Sequence, residues 1–105
     1  MNFEKFTIKS QEAIQKAIEI AQENGSQAIE TPHLFKGVIL AGEGVCKFLF
    51  AKLGVNTQAL HQVVDNQIKS YPKVSGGSPF FSNETNKVLT KAMSLSDKGG
   101  NSFVP

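Results

Sequence analysis

Residues 6–34, FTIKSQEAIQKAIEIAQENGSQAIETPHL, contain the pattern that decides the fold. Within Ile8–Asn24, apolar residues recur at intervals of three and four, which places them on one face of a helix. This face consists of Ala13, Ile14, Ala17, Ile18 and Ala21. Thr7 can cap the start of the helix, and Gly25 can end it because glycine accepts the left-handed backbone found after helices. The pattern predicts an amphipathic helix that buries this face.

Three further helices are predicted after this segment. Thr31–Ala41 is mostly apolar, and its Thr-Pro start places a capping hydroxyl before a proline, so we expect a helix central in the core. Gly44–Leu53 predicts a short helix stopped by Gly54, whose inward-facing residues are Val45, Phe48, Leu49 and Leu53. Asn56–Lys69 predicts a helix capped by its asparagine. The expected buried residues of this helix are Ala59, Leu60, Val63, Val64 and Ile68.

A linker separates these helices from a fifth one. Ser70–Pro79 contains two prolines and two glycines, which is typical of a connecting segment. Ser82 can cap the fifth helix, which we expect to end at Gly99-Gly100. One side of this helix carries Val88, Leu89, Ala92 and Leu95. Because no stretch alternates between apolar and polar residues at period two, the sequence predicts no strands and an all-α fold.

The fifth helix repeats the first one. A shift of 75 residues aligns Phe6 with Phe81 without a gap. The same shift gives identities at Lys16/Lys91, Ala17/Ala92 and Gly25/Gly100, and conservative matches that include Ser10/Thr85 and Ile14/Leu89. Such periodicity indicates a duplicated helical unit. We therefore divide the chain into a first repeat (1–70), a linker (71–80) and the start of a second, truncated repeat (81–105).

Several phrases resemble the N-terminal domain of the ClpB disaggregase family. They are Phe6-Thr7, Lys9–Ala13, Gln27-x-Ile29-Glu30, His33-Leu34, Lys52–Asn56, Pro72–Gly77 and Gly100–Phe103. Together they cover essentially the whole chain. The resemblance implies an all-α Clp N-domain fold, a duplicated four-helix repeat with a pseudo-twofold axis, of which the second repeat is incomplete here. Because repeat units bury their faces against neighbours, we expect one apolar face of the fifth helix to be partly uncovered.

The resemblance also implies a function and partners. It implies a substrate-binding domain that engages unfolded or aggregated polypeptides through an apolar groove and passes them to a hexameric AAA+ ring. ATP and magnesium would be bound by other domains of that ring, which would cooperate with a Hsp70-type chaperone, so no cofactor is expected in this domain. In the related ClpA and ClpC chaperones the same domain docks adaptor proteins, and this is the alternative function. The sequence motifs Lys9–Glu12 and Glu30-x-x-His33 favour ClpB over ClpA and ClpC.

Five residues are predicted to contact substrate: Thr7, Leu89, Leu95, Asn101 and Phe103. The resemblance implies that Thr7 lies at the edge of the groove, near Asn101, although a helix N-cap explains this threonine equally well. Leu89, Leu95 and Phe103 either line the groove or belong to the core of an intact second repeat. Apolar lining suits weak binding to many sequences, because apolar contact is not directional.

The composition argues against several other partners. The 105-residue chain is 40% hydrophobic, as expected for one globular domain. Its 11 basic residues are all lysines spread from Lys5 to Lys98, without the arginines or clusters typical of nucleic-acid binding. No apolar run reaches the roughly 18 residues of a membrane span. A single cysteine and the lack of a signal-peptide core favour a cytoplasmic location.

The sequence predicts no catalytic and no metal site. It contains no phosphate-binding loop of the G-x-x-x-x-G-K-[ST] type. Glu30 and His33 are residue types found in zinc sites, but helix capping explains them better. Cys46 is expected to act as a small buried hydrophobic residue. A thiol- or metal-dependent enzyme built on Cys46 with His33 or His61 is the alternative from a different functional class.

Overall fold

A computed structural model describes residues 7–98, which form five helices and two short strands. In chain order they are α1 (Ile8–Glu23), β1 (Ala28–Ile29), α2 (Thr31–Ala41), α3 (Glu43–Lys52), α4 (Thr57–Ser70), β2 (Phe80–Phe81) and α5 (Asn83–Lys98). All five predicted helices are confirmed, with bounds within two residues of the expectation. None of these described helices combines the length and the apolar character needed to cross a membrane.

The core lies between α1, α2 and the inner face of α5. Its buried apolar residues are Ile14, Ala17, Ala21, Ile29, Leu34 and Leu89. The closest packing is between α1 and α2, where the backbone of α1 passes directly over Gly37. A Cβ atom at this position would collide with the carbonyl oxygen of Ala13, so glycine is required for the two helices to approach this closely.

The two predicted repeats begin with the same capping arrangement. The hydroxyl oxygen of Thr7 accepts a hydrogen bond from the backbone N–H of Ser10 at 3.2 Å. At the positions shifted by 75 residues, Ser82 accepts from the N–H of Thr85, also at 3.2 Å. Both capping predictions are confirmed. The shared geometry agrees with a duplicated unit, because the same local contacts recur at matching positions.

The start of α2 differs from the expectation in its capping residue. Glu30, not Thr31, has the extended backbone of an N-cap, and Thr31 and Pro32 form the first helical turn. The N–H of Glu30 donates to Nδ1 of His33 at 2.8 Å. His33 thus takes the place of the glutamate or glutamine that closes the usual capping box. The prediction of capping for Glu30 and His33 is confirmed, while the hydroxyl cap at Thr31 was wrong.

The prediction that the chain contains no strands was wrong. β1 and β2 pair in parallel, Ala28 with Phe80 and Ile29 with Phe81, and they join the first repeat to the segment that precedes α5. A second connection is the hydrogen bond from the N–H of Val74 to the carbonyl oxygen of Gly25 at 2.8 Å. A two-residue strand is too short to show alternation in the sequence, so only contacts between distant segments reveal it.

The predicted inward faces of α3 and α4 are largely exposed. On α3, exposed fractions are 61% for Phe48 and 74% for Leu53, and Val45 and Leu49 are exposed as well. On α4 only Val64 and Ile68 are buried, whereas Val63 is 66% exposed. Helical spacing correctly grouped the apolar residues of α3 on one face. It could not show that this face stays largely exposed in the described structure.

Candidate functional site

An apolar cleft of about 530 Å³ opens between α1, α2, α3 and α5. The described residues that line it are Lys9, Ser10, Ala13, Ile14, Leu34, Val38, Ala41, Gly42, Val45, Cys46, Val88, Leu89 and Ala92. Most of these side chains are aliphatic or small, and the walls formed by α1, α2 and α5 rest on the core beneath them. The cleft is therefore a preformed surface that can take up apolar groups by exclusion of water.

Two neighbouring residues of α5, Leu89 and Val88, line the cleft at different depths. Leu89 is 4% exposed and belongs to the core, so it supports the floor. Its neighbour Val88 is 48% exposed, and the apolar face of α5 is thus partly uncovered in the described structure, as expected. Leu89 fits both interpretations made from the sequence, since it is a core residue that also lines the cleft.

The other predicted substrate-binding residues are not among the described residues that line the cleft. Thr7 is the N-cap of α1, and its hydroxyl also donates to the hydroxyl of Ser10, which lines the cleft. The side chain of Leu95, and Asn101 and Phe103 as a whole, lie outside the described residues. The roles of Thr7, Leu89, Leu95, Asn101 and Phe103 in substrate binding stay predictions.

The wall of the cleft that α2 and α3 contribute was not predicted from the sequence. Val38 and Val45 were expected to be covered by the core, and Cys46 was expected to be buried. Instead Val38 and Val45 are exposed and Cys46 is half-buried, and all three line the cleft. The signal that could have identified this wall is the excess of apolar residues in α2 and α3, which exceeds what one core face can bury.

The described lining of the cleft consists of apolar and small side chains and one charged group. Among its described lining residues, Lys9 alone carries a charge, and none is a carboxylate or a histidine. The thiol of Cys46 therefore has no general base beside it within this lining, and neither His33 nor His61 belongs to the cleft. The described residues also contain no group of three or more side chains suited to hold a metal ion.

His33 is buried outside the cleft and has a structural role. Its Nδ1 accepts the N–H of Glu30, so the ring proton resides on Nε2, which lies 3.3 Å from the hydroxyl oxygen of Ser26. The ring also contacts Tyr71, with centroids 5.6 Å apart. Burial lowers the pKa of His33, and the charge of Glu30 opposes part of that shift. His33 thus joins the start of α2 to the end of α4 as a neutral ring.

A second polar cluster connects α2 to α4. The ammonium group of Lys36, on a side chain only 15% exposed, lies 3.0 Å from Oδ1 of Asp65. It also donates to Nδ1 of His61 at 2.7 Å. Because every member has a partner within the protein, this cluster serves to hold the two helices together and not to bind a ligand.

The arrangement of five helices around a short parallel strand pair matches a known family. Residues 5–105 match the family model described as the Clp repeat (R) N-terminal domain. The chain belongs to this Clp N-terminal domain family. The resemblance found in the sequence is therefore confirmed, and so is the Clp N-domain fold.

Relatives of this Clp N-terminal domain include bacterial chaperones. The chain is 54% identical over 104 residues to the "Chaperone protein ClpB" of Bacteroides thetaiotaomicron, a match that covers 99% of this chain and 12% of the relative. It is 50% identical over 92 residues to the protein of the same name from Porphyromonas gingivalis, covering 88% of this chain and 11% of that one. The chain thus spans about an eighth of the length of these relatives.

A solved structure shows the same fold for a more distant sequence. The crystal structure of the Hsp104 N-terminal domain from Candida albicans superposes with a TM-score of 0.85 at 20% identity. The match covers 94% of this chain and 66% of the Candida chain. At this identity the comparison establishes the fold of the Clp N-terminal domain alone.

Proposed function

We propose that this chain is the substrate-binding N-terminal domain of an ATP-dependent ClpB-type disaggregase, and that its cleft takes up apolar stretches of unfolded or aggregated polypeptides. The observation that carries this proposal is the cleft itself, because it is open, preformed and lined mostly by aliphatic side chains. A surface of this kind binds weakly and tolerates many sequences, as a domain that collects misfolded chains requires. The identity of 54% to a chaperone named ClpB supports the assignment of the domain to a ClpB-type parent protein.

The domain itself would be a binding module and not an enzyme. Its cleft offers apolar contact, and the described lining residues include no carboxylate or histidine that could act as a general acid or base. ATP and magnesium would be bound by other domains of a hexameric, cytoplasmic parent protein that works with a Hsp70-type chaperone. Docking of folded adaptors, as in ClpA and ClpC, is the less favoured function because the two relatives described above are both named ClpB.

Cys46 provides a direct test of occupancy. It is the single cysteine of the chain and lies half-buried on the wall of the cleft. A bound client would cover its thiol, so we expect a permanently unfolded polypeptide without cysteine to slow alkylation of Cys46 in a saturable way. A folded, cysteine-free protein of similar size and composition should leave the alkylation rate unchanged, which also separates this function from adaptor docking.

Two matched valine variants locate the binding surface. Val88 lies on the cleft wall and is 48% exposed, whereas Val63 is 66% exposed on α4 and does not line the cleft. Val88→Asp should weaken binding of the unfolded client about tenfold, since it places an unpaired charge against apolar groups. Val63→Asp should leave binding unchanged. If the client neither slows alkylation nor distinguishes the two variants, the proposed function is wrong.

A further inference from the structure

The charge distribution of the cleft is strongly uneven. Lys9 is the one charged side chain among the described lining residues, and it extends from the first turn of α1. Its ammonium group lies 3.5 Å from the carbonyl oxygen of Ala41, the last residue of α2. The carbonyl end of a helix attracts a cation, and this contact lies at the junction of α1 and α2, beside the apolar wall.

Lys9 remains available to a ligand in this position. Its side chain is 74% exposed, and its other partner is Glu12, whose Oε2 lies 3.5 Å away. An exposed pair of this kind is held weakly, because solvent screens it and both side chains are mobile. An ammonium group has three N–H donors, so Lys9 can donate a hydrogen bond to a ligand carboxylate while it keeps its contact with Ala41.

The apolar residues that line the described part of the cleft are all aliphatic. The chain contains eight phenylalanines, yet none of the described lining residues is aromatic. Because no aromatic ring is among them, the described lining residues offer no face that attracts the cationic head of a client lysine or arginine. Branched aliphatic side chains fit its walls of alanine, valine, leucine and isoleucine through close packing alone.

We propose that Lys9 makes this cleft selective for aliphatic segments that have a carboxylate beside them, from aspartate, glutamate or a chain terminus. Segments flanked by lysine or arginine are disfavoured, since their charge meets that of Lys9 beside a described lining that contains no carboxylate. The proposal rests on the proposed function, because it names the class of client segment that the same cleft accepts. Lys9 acts here as a specificity-determining residue.

The size and salt dependence of this preference follow from the exposure of Lys9. An ion pair at an exposed site changes affinity about two- to fivefold at low ionic strength. The preference should shrink between about 0.01 M and 0.15 M salt, as the Debye length falls from roughly 30 Å to roughly 8 Å. The apolar part of the binding is not screened and should persist over the same range.

The experiment uses the full chain and two synthetic peptides with the same aliphatic centre, one flanked by aspartates and one by lysines. Affinities are measured by fluorescence anisotropy at low salt. We expect the acidic peptide to bind about two- to fivefold more tightly to the natural protein. Lys9→Glu should reverse this order, and Lys9→Met should abolish it. Lys69→Glu makes the same charge change on α4, away from the cleft, and should preserve the order.

Each outcome has a separate meaning. If neither peptide binds, the proposed function fails and the preference fails with it. If both bind equally and Lys9→Glu changes nothing, the selectivity of Lys9 is refuted while the apolar cleft stands. If Lys69→Glu reverses the order as well as Lys9→Glu, the preference comes from net charge, and the assignment to Lys9 is wrong. Circular dichroism of each variant confirms that the helices are intact.

Discussion

The protonation state of His33 is fixed by its hydrogen bonds. Its Nδ1 accepts the N–H of Glu30, and a proton on this nitrogen would place two donors against each other. Burial adds to this effect, because it disfavours the charged ring and lowers the pKa of His33. The residue therefore caps α2 only while it is neutral, which makes the start of this helix sensitive to acid.

Stability should consequently fall as the solution becomes more acidic. In the unfolded chain the ring takes up a proton near pH 6.5, whereas in the folded chain its pKa is lower, so the unfolded state binds more protons between these values. The contribution of His33 is full above about pH 6.5 and is lost as the pH falls through its lowered pKa. Urea unfolding at several pH values between 7.5 and 5 measures this loss.

Two glutamine variants separate His33 from the other titrating groups. Glutamine at position 33 keeps an acceptor for the N–H of Glu30 but cannot titrate, so His33→Gln should flatten the decline of the unfolding free energy. His61→Gln retains the buried histidine and should keep the decline. A His33→Gln protein that loses stability with pH as steeply as the natural one would contradict the assignment.

At the scale of secondary structure, the pair α1–α2 depends on a single glycine. Gly37 faces the backbone of α1 at Ala13 and Ala17, where no side-chain atom has room. Gly44 in α3 has no atom within 4 Å of the position that a Cβ would occupy. The two glycines both lie in helices, so a comparison between them isolates the effect of packing.

The same substitution should have opposite effects at these two positions. Gly37→Ala should lower the free energy of unfolding by about 1–3 kcal/mol, because overpacking forces α1 and α2 apart. Gly44→Ala should raise it by up to about 1 kcal/mol, since alanine restricts the unfolded chain more than glycine does. Chemical denaturation of both variants tests this. Equal effects would show that the close approach of α1 and α2 is not what glycine provides.

At the scale of the whole molecule, one buried side chain joins the two repeats. The hydroxyl of Thr85 in α5 donates to the carbonyl oxygen of Ile29 in β1 at 2.8 Å. The backbone N–H of Ser82 donates to the same oxygen at 3.1 Å. Thr85 thus belongs to the capping motif of the second repeat and also holds that repeat against the first, next to the strand pair.

Removing the Thr85 hydroxyl should weaken the contact between α5 and β1 without changing the shape of the side chain. Thr85→Val should lower the free energy of unfolding by about 1–2 kcal/mol, because the buried bond is lost while Ser82 still satisfies Ile29. Thr90→Val, at an exposed position of the same helix, should change it by less than about 0.5 kcal/mol. Amide exchange at Ser82 should accelerate only in the Thr85 variant. Unchanged exchange and stability there would show that α5 is held by apolar contacts alone.

The sequence by itself determined the helices, their caps at Thr7, Asn56 and Ser82, and the family. These features depend on neighbours a few residues apart, so spacing and residue type are enough to reveal them. The motifs that carry the resemblance have the same property, since they are short phrases in a fixed order. The duplicated unit stays a prediction, and it rests on local signals of the same kind, such as the caps at Thr7 and Ser82.

Only the tertiary structure decided which apolar faces are covered, where the strands pair and where the cleft opens. The apolar residues of α3 were correctly predicted to lie on one face of a helix, but that face is largely exposed in the described structure. The joining of Phe80 and Phe81 to Ala28 and Ile29 depends on segments about fifty residues apart. Contacts between distant segments leave no periodic pattern in the sequence of either one. The cleft beside Lys9 and Val88 likewise depends on the relative positions of four helices, α1, α2, α3 and α5.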